Sequence, residues 1–349
     1  MRILALLLLA GLCDLGLCRT RDPFVWLSYL RSRYRTYGAP PADLNGGDCP
    51  LECDCPPSYP VAMYCNGRGL QHVPYVPSRM KYVYLQNNQI GGIQDEAFEN
   101  ATGIVWLMMH QNLLTSDQIG PNVFAKLTSL ERLYLGNNLL DRVPPNLPAS
   151  IRDLRLTSNN ISDLEEGAFR GMDDLTVLQL HDNSIEEVGG ALKSLPSLTL
   201  LDISNNRLRK IPGLLPERLH QLYLESNSID AVPADFLRKL SQLQFVRLAN
   251  NKLTDGGIPS NAFNVTGLIE LDLSYNKLER IPPVSTKLQN LYLQANQIKE
   301  FSLGSFCKVT DIRNYSNLRV LRLDGNEINS GDFPPEAGLC LRLARSIDI

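Results

Sequence analysis

Cysteines and asparagines are the residues in this chain whose types and spacing bear on covalent chemistry. Cys49, Cys53, Cys55 and Cys65 form the pattern C-x3-C-x-C-x9-C, and Cys307 and Cys340 form a second group near the far end. Four thiols this close suit either a disulfide knot or a zinc ion. Compartment separates the two readings. Residues 1–18 read as a secretory signal: Arg2, an apolar run from Ile3 to Leu12, then a short stretch to Cys18. That run is too short to cross a bilayer. No later segment holds eighteen uninterrupted apolar residues, so a secreted chain with no membrane span is expected. Cys13 and Cys18 would leave with the signal. The remaining six, in an oxidising compartment, read as disulfides and not as a zinc site. Closing the loop from Cys307 to Cys340 is worth about 4 kcal/mol in the chain-entropy view.

Four asparagines head glycosylation sequons: Asn100-Ala-Thr, Asn160-Ile-Ser, Asn264-Val-Thr and Asn314-Tyr-Ser. Their phase is informative once the elements that position them are recognised. From Met80 to Ile328 the chain repeats the line L-x-x-L-x-L-x-x-N-x-L/I, clearest in LERLYLGNNLL (130–140) and LIELDLSYNKL (268–278). Eleven asparagines close the copies: Asn88, Asn112, Asn138, Asn159, Asn183, Asn206, Asn227, Asn251, Asn276, Asn296 and Asn326, at intervals of 20 to 30 residues. That is a leucine-rich repeat period.

The line has a physical reading. Its x-L-x-L-x segment is a short strand whose leucines point inward. The asparagine, with both donor and acceptor groups, satisfies the backbone where the chain leaves the strand. No repeat buries its leucines alone, so neighbours must stack. The expected fold is an α/β leucine-rich repeat solenoid with a curved parallel sheet on the concave face. Short irregular or 3₁₀ segments should form the convex side, since the short repeats and their prolines (Pro144, Pro145, Pro212, Pro282 and Pro283) leave no room for full helices. Disulfide caps are expected at both ends. In boundaries, this gives a signal at 1–18, a pre-domain at 19–48, an N-terminal cysteine cap at 49–79, repeats at 80–306, and a terminal repeat with a C-terminal cysteine cap at 307–349.

On this frame Asn100, Asn264 and Asn314 each precede by four residues the first apolar position of a repeat, so their glycans would share the edge where strands begin. Asn160 directly follows a ladder asparagine and would emerge where a strand ends. Both placements leave the hollow of the sheet clear. Strand positions flanking the inward leucines face that hollow; they include Tyr82, Trp106, Tyr134, Asp153, Arg155, Asp202, Glu225 and Asp272. Large aromatics facing solvent are what protein interfaces favour. Tyr223, Arg247 and Glu270 fall centrally on three consecutive repeats and form the expected hot spot.

Other chemistry finds little footing. Histidines are four, His72, His110, His181 and His220. His110 and His181 occupy the same strand phase but lie three repeats apart, roughly 14 Å, too far to share a metal. No nucleophile elbow or phosphate loop occurs, so neither catalysis nor a cofactor is expected. A net charge of −3 supplies no basic field for nucleic acid. The pre-domain is the local exception, with five arginines against three aspartates; it reads as an arm for heparin-like glycans or as a tail. Tyr29, Tyr34 and Tyr37 lie among arginines, which argues against their sulfation.

The cysteine spacing, the repeat number and the long penultimate interval together resemble the class II small leucine-rich proteoglycans. The stretches CPPSYPVAMYC, VPSRMKYVYLQNNQI, FENATG, LIELDLSYNKLERIPPV, LRLDGNEI and WLSYLRS carry the resemblance. It implies disulfides Cys49–Cys55, Cys53–Cys65 and Cys307–Cys340, and N-linked keratan sulfate at Asn100, Asn264 and Asn314. Two further glycosylated positions of the family fall at Asn138 and Asp174, where no sequon stands. A long acidic, sulfotyrosine-rich segment of the family is replaced here by the short arginine-rich one. The resemblance implies a secreted extracellular matrix glycoprotein that binds fibrillar collagen and regulates fibril assembly. In the family's Glu-x-Lys collagen contact near the last repeat, Glu327 matches and Asn329 stands in place of the lysine. The alternative is a soluble trap for a growth factor of the transforming growth factor β group. A receptor ectodomain is disfavoured by the absence of a span.

Overall fold

The structure is a computed structural model that describes residues 48–309 and 313–349. The signal at 1–18 and the pre-domain at 19–48, except Asp48, lie outside the described residues. The chain divides into two units, Met1–Leu44 and Asn45–Ile349, and the second is the solenoid.

Thirteen three-residue strands form one sheet in strict chain order. They are β1 (Ala62–Tyr64), β2 (Tyr82–Tyr84), β3 (Trp106–Met108), β4 (Arg132–Tyr134), β5 (Asp153–Arg155), β6 (Val177–Gln179), β7 (Leu200–Asp202), β8 (Gln221–Tyr223), β9 (Phe245–Arg247), β10 (Glu270–Asp272), β11 (Asn290–Tyr292), β12 (Val320–Arg322) and β13 (Ser346–Asp348). Every adjacent pair is parallel and in register. The middle residues of β2 to β12, from Val83 through Leu201 to Leu321, are fully buried in one continuous core. Truncating any of these leucines to alanine costs about 2–5 kcal/mol.

The asparagine ladder runs unbroken. Asn138 shows the pattern: Nδ2 donates to Leu135 O (2.9 Å) in its own repeat and to Met109 O (3.0 Å) in the one before. Its Oδ1 accepts from Leu114 N at 3.0 Å. The same three-way bond recurs from Asn88 to Asn326. Each ladder asparagine therefore satisfies two carbonyls and one N–H that would otherwise be orphaned inside. The turn feeding it has a cost. The residue before every ladder asparagine has a positive φ, from Asn87 (59°) to Ala295 (54°) and Gly325 (72°).

Two features extend the sequence reading. First, the sheet has strands beyond the eleven repeats: β1 lies inside the N-terminal cysteine cap, and β13 lies inside the C-terminal one, after Cys340. They pair the edges that the outermost repeats would leave open. Second, the convex side of the longer repeats is filled by Phe98, Phe124, Phe169, Phe236, Phe263 and Phe306, all buried. The signal for this spine was a phenylalanine about midway through each of those repeats. The convex backbone is otherwise turns and 3₁₀ segments such as Ser116–Gln118 and Asp255–Gly257. One helix is long enough to name among the described residues, α1 (Ala337–Cys340).

Disulfides Cys49–Cys55 and Cys53–Cys65 close the first cap, with Cys53, Cys55 and Cys65 buried against the first turns. Cys307–Cys340 ties α1 to the last long excursion.

Candidate binding surface

The hollow of the sheet carries the groups most able to recognise a partner, and they differ along its length. At the N-terminal end the rings brace one another. Tyr59 stacks on Tyr82 with centroids 5.7 Å apart, and Tyr82 meets Trp106 edge-on at 5.2 Å. The Arg132 guanidinium lies over Trp106 at 4.3 Å. Tyr64 and Tyr84 stack at 4.7 Å, and burial first, then the neighbouring tyrosines, push the Tyr84 hydroxyl up to about 12. One strand on, the Tyr134 hydroxyl donates to Asp153 Oδ2 (2.7 Å), and Arg155 donates to both oxygens of the same carboxylate (3.1 and 3.0 Å). Arg155 also covers the Tyr134 ring at 4.2 Å. Burial, followed by the Asp153 charge, holds the Tyr134 hydroxyl well above its usual range.

From β7 onward the surface is acidic and less saturated. Asp202 and Asp272 each turn one oxygen back to the serine two residues on, accepting its N–H (3.0 and 2.9 Å) and its hydroxyl (2.6 Å in both). Between them on the sheet lies Glu225. Its Oε2 is closed off from solvent and has no hydrogen-bond partner among the described residues. Burial is the main cause that pushes this carboxyl up to about 7; Asp202 and Asp272 add to it, while its own backbone N–H and Arg247 oppose it. Arg247 sits at the centre, 4.8 Å above the Tyr223 ring and donating through Nε and Nη2 to Glu270 Oε1 (3.1 and 3.0 Å). The Tyr223 hydroxyl donates to Gln221 at 2.7 Å.

Arg247 on β9 thus links Tyr223 on β8 to Glu270 on β10. Glu327 is not with them. It is exposed beside the ladder on the last repeat, on the flank and not in the hollow. Next to it Asn329 is exposed, its N–H held by Asp332 (2.8 Å). All four sequon asparagines, Asn100, Asn160, Asn264 and Asn314, are exposed. Three positions expected to face solvent do not: Tyr134, Asp153 and Asp202 are buried. Strand alternation assigns a face but not a depth, and arginines and serines from the same repeats close over them. The D-x-S spacing in Asp202-Ile203-Ser204 and Asp272-Leu273-Ser274 was the available signal.

Among the described residues, no group of three or more His, Cys, Asp or Glu is placed to hold a metal ion. His181 instead contacts Asp182 at 2.7 Å. No helix is long and apolar enough to cross a membrane, among the described residues.

Comparison with known proteins agrees with this geometry. Leucine rich repeat models match residues 78–142, 149–208 and 267–286. Fibromodulin of Bos taurus and fibromodulin of Homo sapiens are each 50% identical to this chain, with 99% of both chains covered. Lumican of Bos taurus is 46% identical over 90% of this chain and 93% of its own. Among solved structures, a chain of the octameric complex of Latrophilin 3, Unc5D and FLRT2 superposes with a TM-score of 0.68 at 28% identity, covering 86% of this chain and 83% of that one.

Proposed function

The chain belongs to the small leucine-rich proteoglycans, the secreted extracellular matrix family of fibromodulin and lumican, and from that premise we propose that its concave sheet binds fibrillar collagen and regulates fibril assembly. It acts by binding and not by catalysis. The observation that carries this reading is the Tyr223–Arg247–Glu270 contact on three adjacent strands. A triple helix is a stiff rod, and a rigid sheet bearing a ring, a cation and a carboxylate meets it without ordering either partner. Tyrosine and arginine in a partly desolvated setting are the residue types that dominate interface energy. Glu327 supplies a second, separate contact at the last repeat. Glycans on Asn100, Asn264 and Asn314 line one edge, with Asn160 on the other, and keep sugar out of the hollow. The arginine-rich arm holds heparin-like glycans.

Co-sedimentation with reconstituted collagen fibrils tests this. Tyr223→Ala with Arg247→Ala should weaken fibril binding by about 2–4 kcal/mol. Deleting 19–48 should leave fibril affinity nearly unchanged and lower heparin retention. If deletion abolishes fibril binding and the double substitution does nothing, the arm is the collagen site. Capture of free growth factor of the transforming growth factor β group, with no fibril binding, would favour the soluble trap instead.

A further inference from the structure

The flank where strands end carries a row of its own, formed by the residue after each ladder asparagine. These residues are laced together: Arg207 N donates to Ile185 O (2.9 Å), Ser228 N to Leu208 O (2.8 Å), Lys252 N to Ile229 O (2.8 Å) and Lys277 N to Leu253 O (2.9 Å). The lacing holds successive members at steps of about 4.8 Å. Chemistry changes abruptly along the row. In the first repeats it holds the uncharged Gln89, Leu113, Leu139 and the sequon residue Asn160. Two repeats later it becomes Arg207, Ser228, Lys252 and Lys277.

All three cations are exposed, and none is in an ion pair among the described residues. Arg209 and Lys210, also exposed, extend the charge outward from Arg207. The nearby acids offset this only in part. Glu279 is taken by Lys299 (3.2 Å). Asp255, whose carboxylate accepts the N–H groups of Glu279 and Arg280 (3.2 and 3.3 Å), and the exposed Glu186, Glu187 and Asp230 keep their charge against Arg207, Arg209, Lys210, Lys252, Lys277 and Arg280.

We infer that this row, from Arg207 to Lys277, is a binding track for a sulfated polysaccharide, distinct from the concave sheet and from the arm. Charge complementarity selects the occupant. The row is one residue wide and regularly stepped, so it matches a linear chain of anions. Its own members, Arg207, Ser228, Lys252 and Lys277, include no apolar anchor, and Tyr275 beside Lys277 is the one exposed ring at its end. Lysine and arginine heads on flexible stems adapt to sulfates at variable positions. Access is also favourable: Asn100, Asn264 and Asn314 lie on the opposite edge, and Asn160 stands two repeats before Arg207.

The test uses the full secreted chain and heparin as the probe, with affinity measured at physiological ionic strength. The variant Arg207→Ser, Lys252→Ser, Lys277→Ser repeats the row's own neutral residue and should weaken binding roughly tenfold, with earlier salt elution. Ser228→Lys fills the gap and should tighten binding several-fold. Hyaluronan, which has carboxylates and no sulfates, should bind more weakly and respond less to either change. Heparin affinity unchanged in both variants, with thermal stability intact, overturns the assignment. So does tighter, equally row-dependent binding to phosphatidylserine vesicles, which would make the track a membrane contact.

Discussion

The two halves of the concave sheet use the same strand positions in different ways. In β3 to β5 the large charged and phenolic groups are answered, Arg132 by Trp106, and Tyr134 and Arg155 by the buried Asp153, while the neutral Gln86 amide oxygen just past β2 has no partner among the described residues. In β7 to β10 the carboxylates outnumber their partners, and Glu225 keeps an oxygen with none among the described residues. A saturated network rigidifies, whereas an unsatisfied buried carboxylate costs stability unless something outside supplies a partner. The ion-paired first half thus braces the arch, and the second holds a buried carboxylate oxygen with no partner among the described residues.

This contrast predicts unequal responses to equivalent substitutions. Asp153→Ala takes the acceptor from both Tyr134 and Arg155 and should destabilise the solenoid by about 2–4 kcal/mol. Asp272→Ala, at an acid that serves only its neighbouring serine, should cost about 1 kcal/mol. Urea denaturation of both variants checks the ratio, and equal losses would dissolve the distinction between the halves.

Glu225→Gln should do the opposite of Asp153→Ala. Because its folded carboxyl is pushed up to about 7 from an ordinary 4.5, ionising it disfavours the folded state. Stability is greatest below the ordinary value and falls as pH rises from about 4.5 through about 7. The glutamine variant should gain about 1–3 kcal/mol at pH 8 and almost nothing at pH 4. Melting temperatures of both proteins across that range read the effect directly.

Smaller effects sharpen the picture. Trp106→Ala removes the edge-on partner of Tyr82 and the platform of Arg132, for a loss of about 1–2 kcal/mol. Heparin and collagen binding should be unaffected if that region only braces. The left-handed turn before each ladder asparagine varies from repeat to repeat. At several repeats along the whole sheet it is filled by residues that tolerate it, such as Asn87, Asn137, Asp182, Asn205 and Asn250, but at others by Tyr275 and Ala295. Ala295→Gly should therefore stabilise by about 0.5–1 kcal/mol, visible as a modest rise in melting temperature.

Much of this molecule was legible without coordinates because its order is one-dimensional. The repeat line places each leucine inside and each asparagine at the strand exit, and stacking then follows from the need to bury the leucines. The phase of a sequon or a strand residue could be read the same way, so Tyr223, Arg247 and Glu270 were assigned to one face in adjacent repeats. The two cap strands were not legible, because Ala62–Tyr64 and Ser346–Asp348 lack the repeat line and become strands only when an open edge offers them hydrogen bonds.

Alternation along a strand depends on local geometry alone, so the sequence by itself determined which side chains share the hollow. Depth depends on how neighbouring side chains close over one another. Tertiary structure alone therefore decided that Asp153 and Asp202 are buried with partners, that Glu225 is half-buried with an oxygen lacking one, and that Glu327 stands on the flank. Burial and charge are sums over neighbours from several repeats, and no single repeat contains them.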